Sequence, residues 1–392
     1  AADAYSRTCG RVGTVMVTSG PGATNLTTSI CNAYFDSIPA LFICGQVTTP
    51  RLRPSEKLRQ KGFQETDVVS LFSSFTKYVY RVMDPLEIKY QLQKALYLAT
   101  SGRPGPVALD IPDDLQRMEI DVAQLNEFAP DTQFTDHRPL ATGTMSAQCP
   151  VPSTQEVAEK ISTLLSWISS AKRPVIICGA GVRIADAIEP TLKFARHFKI
   201  PLLLTWGGKD LMVHEDELNF GGLGVVGPRW GNFAAQNADL IISFGTRLSQ
   251  MITGGKTTLF APNAKKVMID VDPHELTKFT SNDFKLDMAI ESELKSFFEI
   301  ALAQCTQPQA DAFAAWRSQI RSWEEKYPIC PPSKYDRADF VDGHVFAKEI
   351  SIVSNEGDVF IGDTGANLSW MCQALEMKKG QRIFSAWNHT PM

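Results

Sequence analysis

Long apolar runs are missing from this sequence, and none approaches the roughly 20 residues that a membrane-spanning helix needs. An excess of one charge is missing too. The 39 Lys and Arg stand against 43 Asp and Glu, a formal net charge of −4, so no broad basic field invites nucleic acid or an anionic membrane surface. The eight cysteines, Cys9, Cys31, Cys44, Cys149, Cys178, Cys305, Cys330 and Cys372, form no CxxC pair. Most stand inside apolar runs, where a thiol packs as a small hydrophobe, so they read as reduced and structural. The six histidines, His137, His197, His214, His274, His344 and His389, are not spaced as metal ligands, and no metal site is expected. No Ser-His-Asp or Cys-His order supplies an activated nucleophile, and no short-period repeat is visible. A signal peptide is also missing, which makes the cytosol the expected compartment.

What is present is ordinary globular material in quantity: 392 residues, 44% hydrophobic and 21% charged, enough for two or three domains. The organising stretch is Val12 to Glu65, with an apolar strand to Thr18, the turn Ser19-Gly20-Pro21-Gly22-Ala23-Thr24-Asn25, a helical run to Phe35 and a second strand from Pro39 to Gly45. Gly20 and Gly22 permit a sharp turn and a close approach, and the first amides of the next helix point outward, as a ligand-facing loop requires. Asp84-Pro85-Leu86-Glu87 reads as a helix start, followed by Ile88, Leu92, Ala95, Leu96 and Ala99 on one face and a strand from Val107 to Ile111. The strands are too apolar to have a wet face, which predicts βαβ units around parallel sheets.

The expected divisions are a first domain over 1–118, a linker over 119–153, a central doubly wound domain over 154–305, a connector over 306–338 and a third α/β unit over 339–392. Ser153-Thr154-Gln155-Glu156 predicts a capped helix opening the central domain. Gly179-Ala180-Gly181 follows a strand and suits either a phosphate or close backbone packing. The run from Gly222 to Gly227 has dinucleotide-fingerprint spacing but follows the polar stretch His214 to Asn219, so a dehydrogenase reading fails its context. Ala1 to Arg7 reads as the interior of a helix, and the chain stops just inside a new segment, so a piece of a longer protein is expected.

Taken in order, Thr18-Ser19-Gly20-Pro21-Gly22-Ala23-Thr24-Asn25, Asp36-Ser37-Ile38-Pro39, Gly45-Gln46-Val47, Phe63-Gln64-Glu65, Ser101 to Val107 and Asp110-Ile111-Pro112 resemble the acetohydroxyacid (acetolactate) synthase family of thiamine-diphosphate enzymes. The resemblance implies three doubly wound α/β domains of the thiamine-diphosphate-binding fold, the first and third incomplete here. It implies decarboxylation of a pyruvate-like 2-oxo acid and carboligation to a second carbonyl, as in branched-chain amino-acid biosynthesis, with the cofactor performing the hard step. Gly20, Pro21, Gly22, Asn25, Gln46, Gly365, Ala366, Asn367 and Met392 match positions against thiamine diphosphate, and Phe63 and Gln64 match the donor-substrate pocket. His389, close to that cofactor, is a candidate proton carrier.

Arg103, Gly179, Gly181, Gly224, Gly227, Gly245 and Arg247 match positions where the family holds flavin adenine dinucleotide (FAD). Departures accompany the match. Gly224-Val225-Val226-Gly227 replaces Gly-Met-His-Gly, and Arg247-Leu248-Ser249-Gln250-Met251 replaces Arg-Phe-Asp-Asp-Arg, so flavin is expected to be held loosely or not at all. Asp113 stands where the family carries a lysine at the pocket mouth. The family's activating glutamate would precede residue 1 and its Mg2+-binding motif would follow Met392, so this stretch alone is expected to be inactive. A homodimer or homotetramer is implied, with no nucleic-acid or membrane partner. Two alternatives stay open: a related lyase acting on another oxo or 2-hydroxyacyl substrate, and a non-catalytic nucleotide-binding or regulatory module.

Overall fold

The computed structural model describes residues 1–130, 152–279, 283–305 and 311–389. The chain forms two compact units, one of residues 1–147 with 386–392 and one of residues 148–385.

The first unit is built on strands β1 (Gly13–Val17), β2 (Ala40–Gln46), β3 (Tyr78–Arg81) and β4 (Pro106–Pro112). All pair in parallel, in the order β1-β2-β4-β3. Side chains alternate across a strand, and each face has its own core. Ala40, Phe42, Cys44 and Ala108 meet Ala23, Ile30, Val68 and Phe72 on one side, while Leu41, Val107 and Leu109 meet Ala95, Leu98 and Ala99 on the other. Asp84 caps a short 3-10 turn, Pro85–Glu87, and the α-helix proper is Ile88–Thr100. Two expectations fail here. The buried face of that helix carries Leu98, whereas Leu96 is exposed. The first strand also has a wet face, because Thr14 and Met16 are exposed at the sheet edge.

The second unit contains β5 (Pro174–Cys178), β6 (Leu202–Leu204), β7 (Asn219–Gly222), β8 (Leu240–Phe244), β9 (Lys265–Asp270) and β10 (Met288–Glu291), all parallel in the order β10-β9-β8-β5-β6-β7. Ile176, Leu202, Leu204, Ile242, Phe244, Val267 and Ile269 face one core, filled by the helices Thr154–Ser170, Ile188–Phe198 and Leu294–Gln304. Val175, Ile177, Leu203, Ile241 and Met268 face the other, filled by Trp230, Ala234, Trp316 and Ile320. This is a doubly wound sheet, as expected. Trp316 and Ile320 lie on the helix Ala314–Lys326, so the segment read as a connector supplies part of this core.

The capping box at Ser153 and Glu156 is formed. A short parallel pair, β11 (Val359–Ile361) and β12 (Arg382–Phe384), completes the unit. Asp210 ties that pair to the larger sheet, accepting from Arg382 Nε at 2.7 Å and from the Ile383 amide at 3.3 Å, with Arg183 at 3.2 Å.

Candidate functional site

In a parallel sheet the free backbone and the loops that bind ligands gather at the carboxyl ends of the strands. In the first unit those ends carry Ser19-Gly20 after β1, Gln46 at the end of β2 and Asp110 in β4. Gly20 has φ 66 and ψ −116, a conformation that suits glycine. A Cβ at Gly20 would lie 2.8 Å from Gln64 Cβ and 2.9 Å from the Gln64 carbonyl oxygen. The turn therefore meets the Phe63-Gln64 segment directly, across 44 positions of sequence. Pro21 and Asn25 are exposed, Gly22 is half-buried, and Phe63 stands 85% exposed beside half-buried Gln64.

Gln64 itself is strained. Its φ of 63 is left-handed, a region that costs an L-residue about 1–2 kcal/mol. What surrounds it is tightly specified. Gln46, 3% exposed, donates from Nε2 to the Thr66 carbonyl at 2.7 Å and to both oxygens of Asp110 at 3.2 and 3.3 Å, and its Oε1 accepts from the Val47 amide at 3.0 Å. Its polar atoms are thus engaged by its own chain. Asp110 is fully buried and accepts from Arg81 Nε at 2.6 Å. Burial pushes the Asp110 carboxyl above its ordinary range, and Arg81 and Gln46 offset that push only in part. Arg53 bonds Asp67 at 2.9 Å, and Asp67 caps the helix Val68–Phe72. Sequence reasoning missed this charged lattice, whose only signal was apolar strands ending in Gln and Asp.

Two family descriptions match the chain: "Thiamine pyrophosphate enzyme, N-terminal TPP binding domain" over residues 1–71, and "Thiamine pyrophosphate enzyme, central domain" over residues 161–298. The chain belongs to the thiamine pyrophosphate enzymes. It is 32% identical over 384 residues to the probable acetolactate synthase large subunit of Methanocaldococcus jannaschii, covering 96% of this chain and 60% of that protein. It is 30% identical over 389 residues to the acetolactate synthase large subunit of Porphyra purpurea, covering 98% and 61%. Acetolactate synthase 2, chloroplastic, of Zea mays is 34% identical over 329 residues, covering 84% and 48%. The chain spans about 60% of the length of the first of these relatives.

Of the glycines matched to flavin in this thiamine pyrophosphate enzyme, Gly179, Gly181 and Gly245 lie at the switch point of the six-stranded sheet, after β5 and β8, whereas Gly224 and Gly227 follow β7 at its edge. Each is filled by neighbouring backbone. A Cβ on Gly179 would lie 2.3 Å from the Gly245 carbonyl oxygen, and one on Gly181 would lie 2.6 Å from Gly245 Cα. Gly181 N–H donates to that same carbonyl at 2.9 Å. Of the two readings for this loop, close packing is therefore realised. A Cβ on Gly224 (φ 90) would lie 2.3 Å from the Met251 carbonyl oxygen, and this glycine is held both ways by Asn232, while a Cβ on Gly227 would lie 2.4 Å from Leu223 Cα.

The fingerprint run also departs from expectation, since it begins in β7, a short edge strand. Beside it is a cavity of about 30 Å³ lined by Thr205, Lys209, His214 and Cys372, room for water but not for a flavin ring. Burial pushes the Lys209 ammonium down to about 8 and the Cys372 thiol up to about 11. An open groove of about 790 Å³ runs past Ser249, Gln250, Gly255, Lys256 and Lys278. Arg247 lies 3.9 Å from Glu275, and its carbonyl accepts from Lys278.

Arg103 belongs to the first unit, donating from Nε to Ser37 Oγ at 2.8 Å. Gly365, with φ 123, Ala366 and Asn367 belong to the second, exposed at the start of the helix Ala366–Ala374. Met392 lies outside the described residues. His389 is exposed and stacks on Phe35 with ring centroids 5.6 Å apart. Among the described residues no group of His, Cys, Asp and Glu could hold a metal ion, and no helix is long and apolar enough to cross a membrane.

Proposed function

We propose that this chain is part of a thiamine-diphosphate-dependent enzyme of the acetolactate synthase type, which decarboxylates a pyruvate-like 2-oxo acid and joins the fragment to a second carbonyl. The observation that carries this reading is the strained Gln64 seated against Gly20 at the carboxyl edge of the first sheet. When bound, thiamine diphosphate supplies the carbanion chemistry of the reaction. Gln64 supplies an amide that can donate to a developing oxyanion without repelling the carboxylate that must leave. Phe63 limits the bulk of the donor. Gln46 and Asp110 hold the Thr66 end of the segment, so the amide arrives already oriented.

Gly365, Ala366 and Asn367 suit a diphosphate, because an exposed helix start offers its first amides to an anion. Magnesium is expected to accompany the cofactor in the longer protein. Flavin is a different matter. The glycines matched to it are explained by the chain's own packing, and we assign it no part in the reaction. The partner is a second copy of the chain, with the exposed Pro21 and Asn25 facing it. The thiols of Cys44, Cys178 and Cys372 are buried and free, which favours a reducing compartment such as the cytosol.

The test is turnover by the full-length protein. Acetolactate and carbon dioxide should form from pyruvate only with thiamine diphosphate and magnesium present. Turnover of another oxo acid with pyruvate inert would favour the related lyase. Cofactor binding without turnover of any oxo acid would favour the non-catalytic module.

A further inference from the structure

A left-handed, non-glycine residue persists only where its surroundings over-determine it. Around Gln64 the determinant is the next residue. Three backbone N–H groups converge on the Glu65 carboxylate: Arg53 on Oε1 at 2.6 Å, Lys61 on Oε2 at 2.8 Å and Gly62 on Oε2 at 3.3 Å. The main chain of Glu65 is held as well, its N–H donating to the Gly62 carbonyl at 3.1 Å and its own carbonyl accepting from Gln60 Nε2 at 3.2 Å. Glu65 is 8% exposed, so these contacts are made largely out of water. They close the whole loop from 53 to 65 upon one carboxylate. Gly62 fits tightly within it, a Cβ there lying 2.9 Å from Val47 and 3.0 Å from the Arg51 carbonyl oxygen.

We propose that Glu65 is the positioning residue of this site: its carboxylate gathers the 53–65 loop and so holds Gln64 in the strained conformation that presents its amide. This rests on the reading of Gln64 given above. Glu65 does not itself touch the reacting atoms. A glutamine at 65 keeps the shape but turns an NH2 group toward backbone donors, so one or more of those N–H groups loses its acceptor. Gln64 then relaxes toward an ordinary φ.

The experiment has two readouts on the full-length protein. Without cofactor, amide exchange across residues 53–66 should quicken in Glu65→Gln and, more mildly, in Gln60→Ala, a surface variant that leaves the carboxylate in place and the fold intact. With cofactor, Glu65→Gln should lower kcat/KM for the donor by about 10- to 100-fold, since a small misplacement of a catalytic group costs that much. The Kd for thiamine diphosphate should move less than about threefold. Adding Gln64→Ala to Glu65→Gln should cost far less than Gln64→Ala costs alone, because both remove one presented amide.

Unchanged exchange in Glu65→Gln would overturn the proposal. So would full additivity of the two substitutions. Unchanged kinetics in Glu65→Gln, with Gln64→Ala still impaired, overturns the positioning role alone. Unchanged kinetics in both variants overturns the reading of Gln64 and this inference with it.

Discussion

Around the six-stranded sheet, strand residues alternate between two dry cores, and the glycines at the switch point are filled by backbone from the neighbouring loop. Around the four-stranded sheet, the strand ends carry Gln46, Asp110 and Arg81, one edge faces solvent through Thr14 and Met16, and a strained Gln64 stands beside an exposed Phe63. Similar parallel sheets thus spend their switch-point geometry differently. The second spends it on packing. The first sets the buried Asp110 and the left-handed Gln64 beside an open turn, both unfavourable for stability, which persist where a site needs fixed polar groups; the left-handed Leu248 after β8 is instead buried in its unit's apolar core.

The largest effect that sharpens this contrast should come from the second sheet's core. Phe298→Ala removes a fully buried ring that packs on Phe244 with centroids 4.9 Å apart, and should cost about 3–5 kcal/mol in denaturant unfolding. Its KM for the donor should barely change. Gly20→Ala comes next, combining a φ of 66 with a contact of 2.8 Å to Gln64. It should lose about 1–2 kcal/mol of stability and, unlike Phe298→Ala, a large share of kcat. A Gly20→Ala enzyme with normal kcat would break the contrast.

A smaller effect is acid dependence. Burial alone would raise the Glu65 carboxyl, but the amides of Arg53, Lys61 and Gly62 and the charge of Arg53 outweigh it and hold the pKa below the ordinary value of 4.5. The stabilisation is therefore present above that value and lost as pH falls through the lower folded value. The stability gap between the wild type and Glu65→Gln should be full near neutrality and should close in strong acid. A gap independent of pH would show that Glu65 is not acting as an anion.

Two spectroscopic checks are smaller still. The protein purified without added cofactor should lack a yellow flavin band; a stoichiometric band would mean that the packed glycines of the second unit still admit a dinucleotide. Native thiol labelling should reach exposed Cys9 readily, leaving Cys44, whose thiol burial pushes up to about 12, for the unfolded chain.

Much of the fold was legible because the central strands, such as Leu240–Phe244, are buried on both faces and read as unbroken apolar runs. The edge strand Asn219–Gly222 was not, since two glycines and an asparagine carry no strand propensity and only pairing with β6 makes it one. Leu96 was misplaced because periodicity alone does not say which of two apolar neighbours meets the sheet. At the site, the Phe63-Gln64-Glu65 string was visible as resemblance. Its supports were not. Gln46 meets Asp110 across 64 positions, and Gly179 meets Gly245 across 66, contacts that no local pattern announces. Asp113, standing where the family carries a lysine, is paired with Arg117 one helical turn on. Its effect on an anionic donor should be correspondingly small.

The central claim is that chemistry resides at the Gly20–Gln64 edge of the first sheet and not in the crevice of the second. Steady-state kinetics of the full-length Gln64→Ala variant with pyruvate test it most directly. A fall in kcat/KM of about 10²-fold or more is expected, the usual cost of losing a polar contact to a developing charge. Equal kcat/KM for the variant and the wild type would contradict the account.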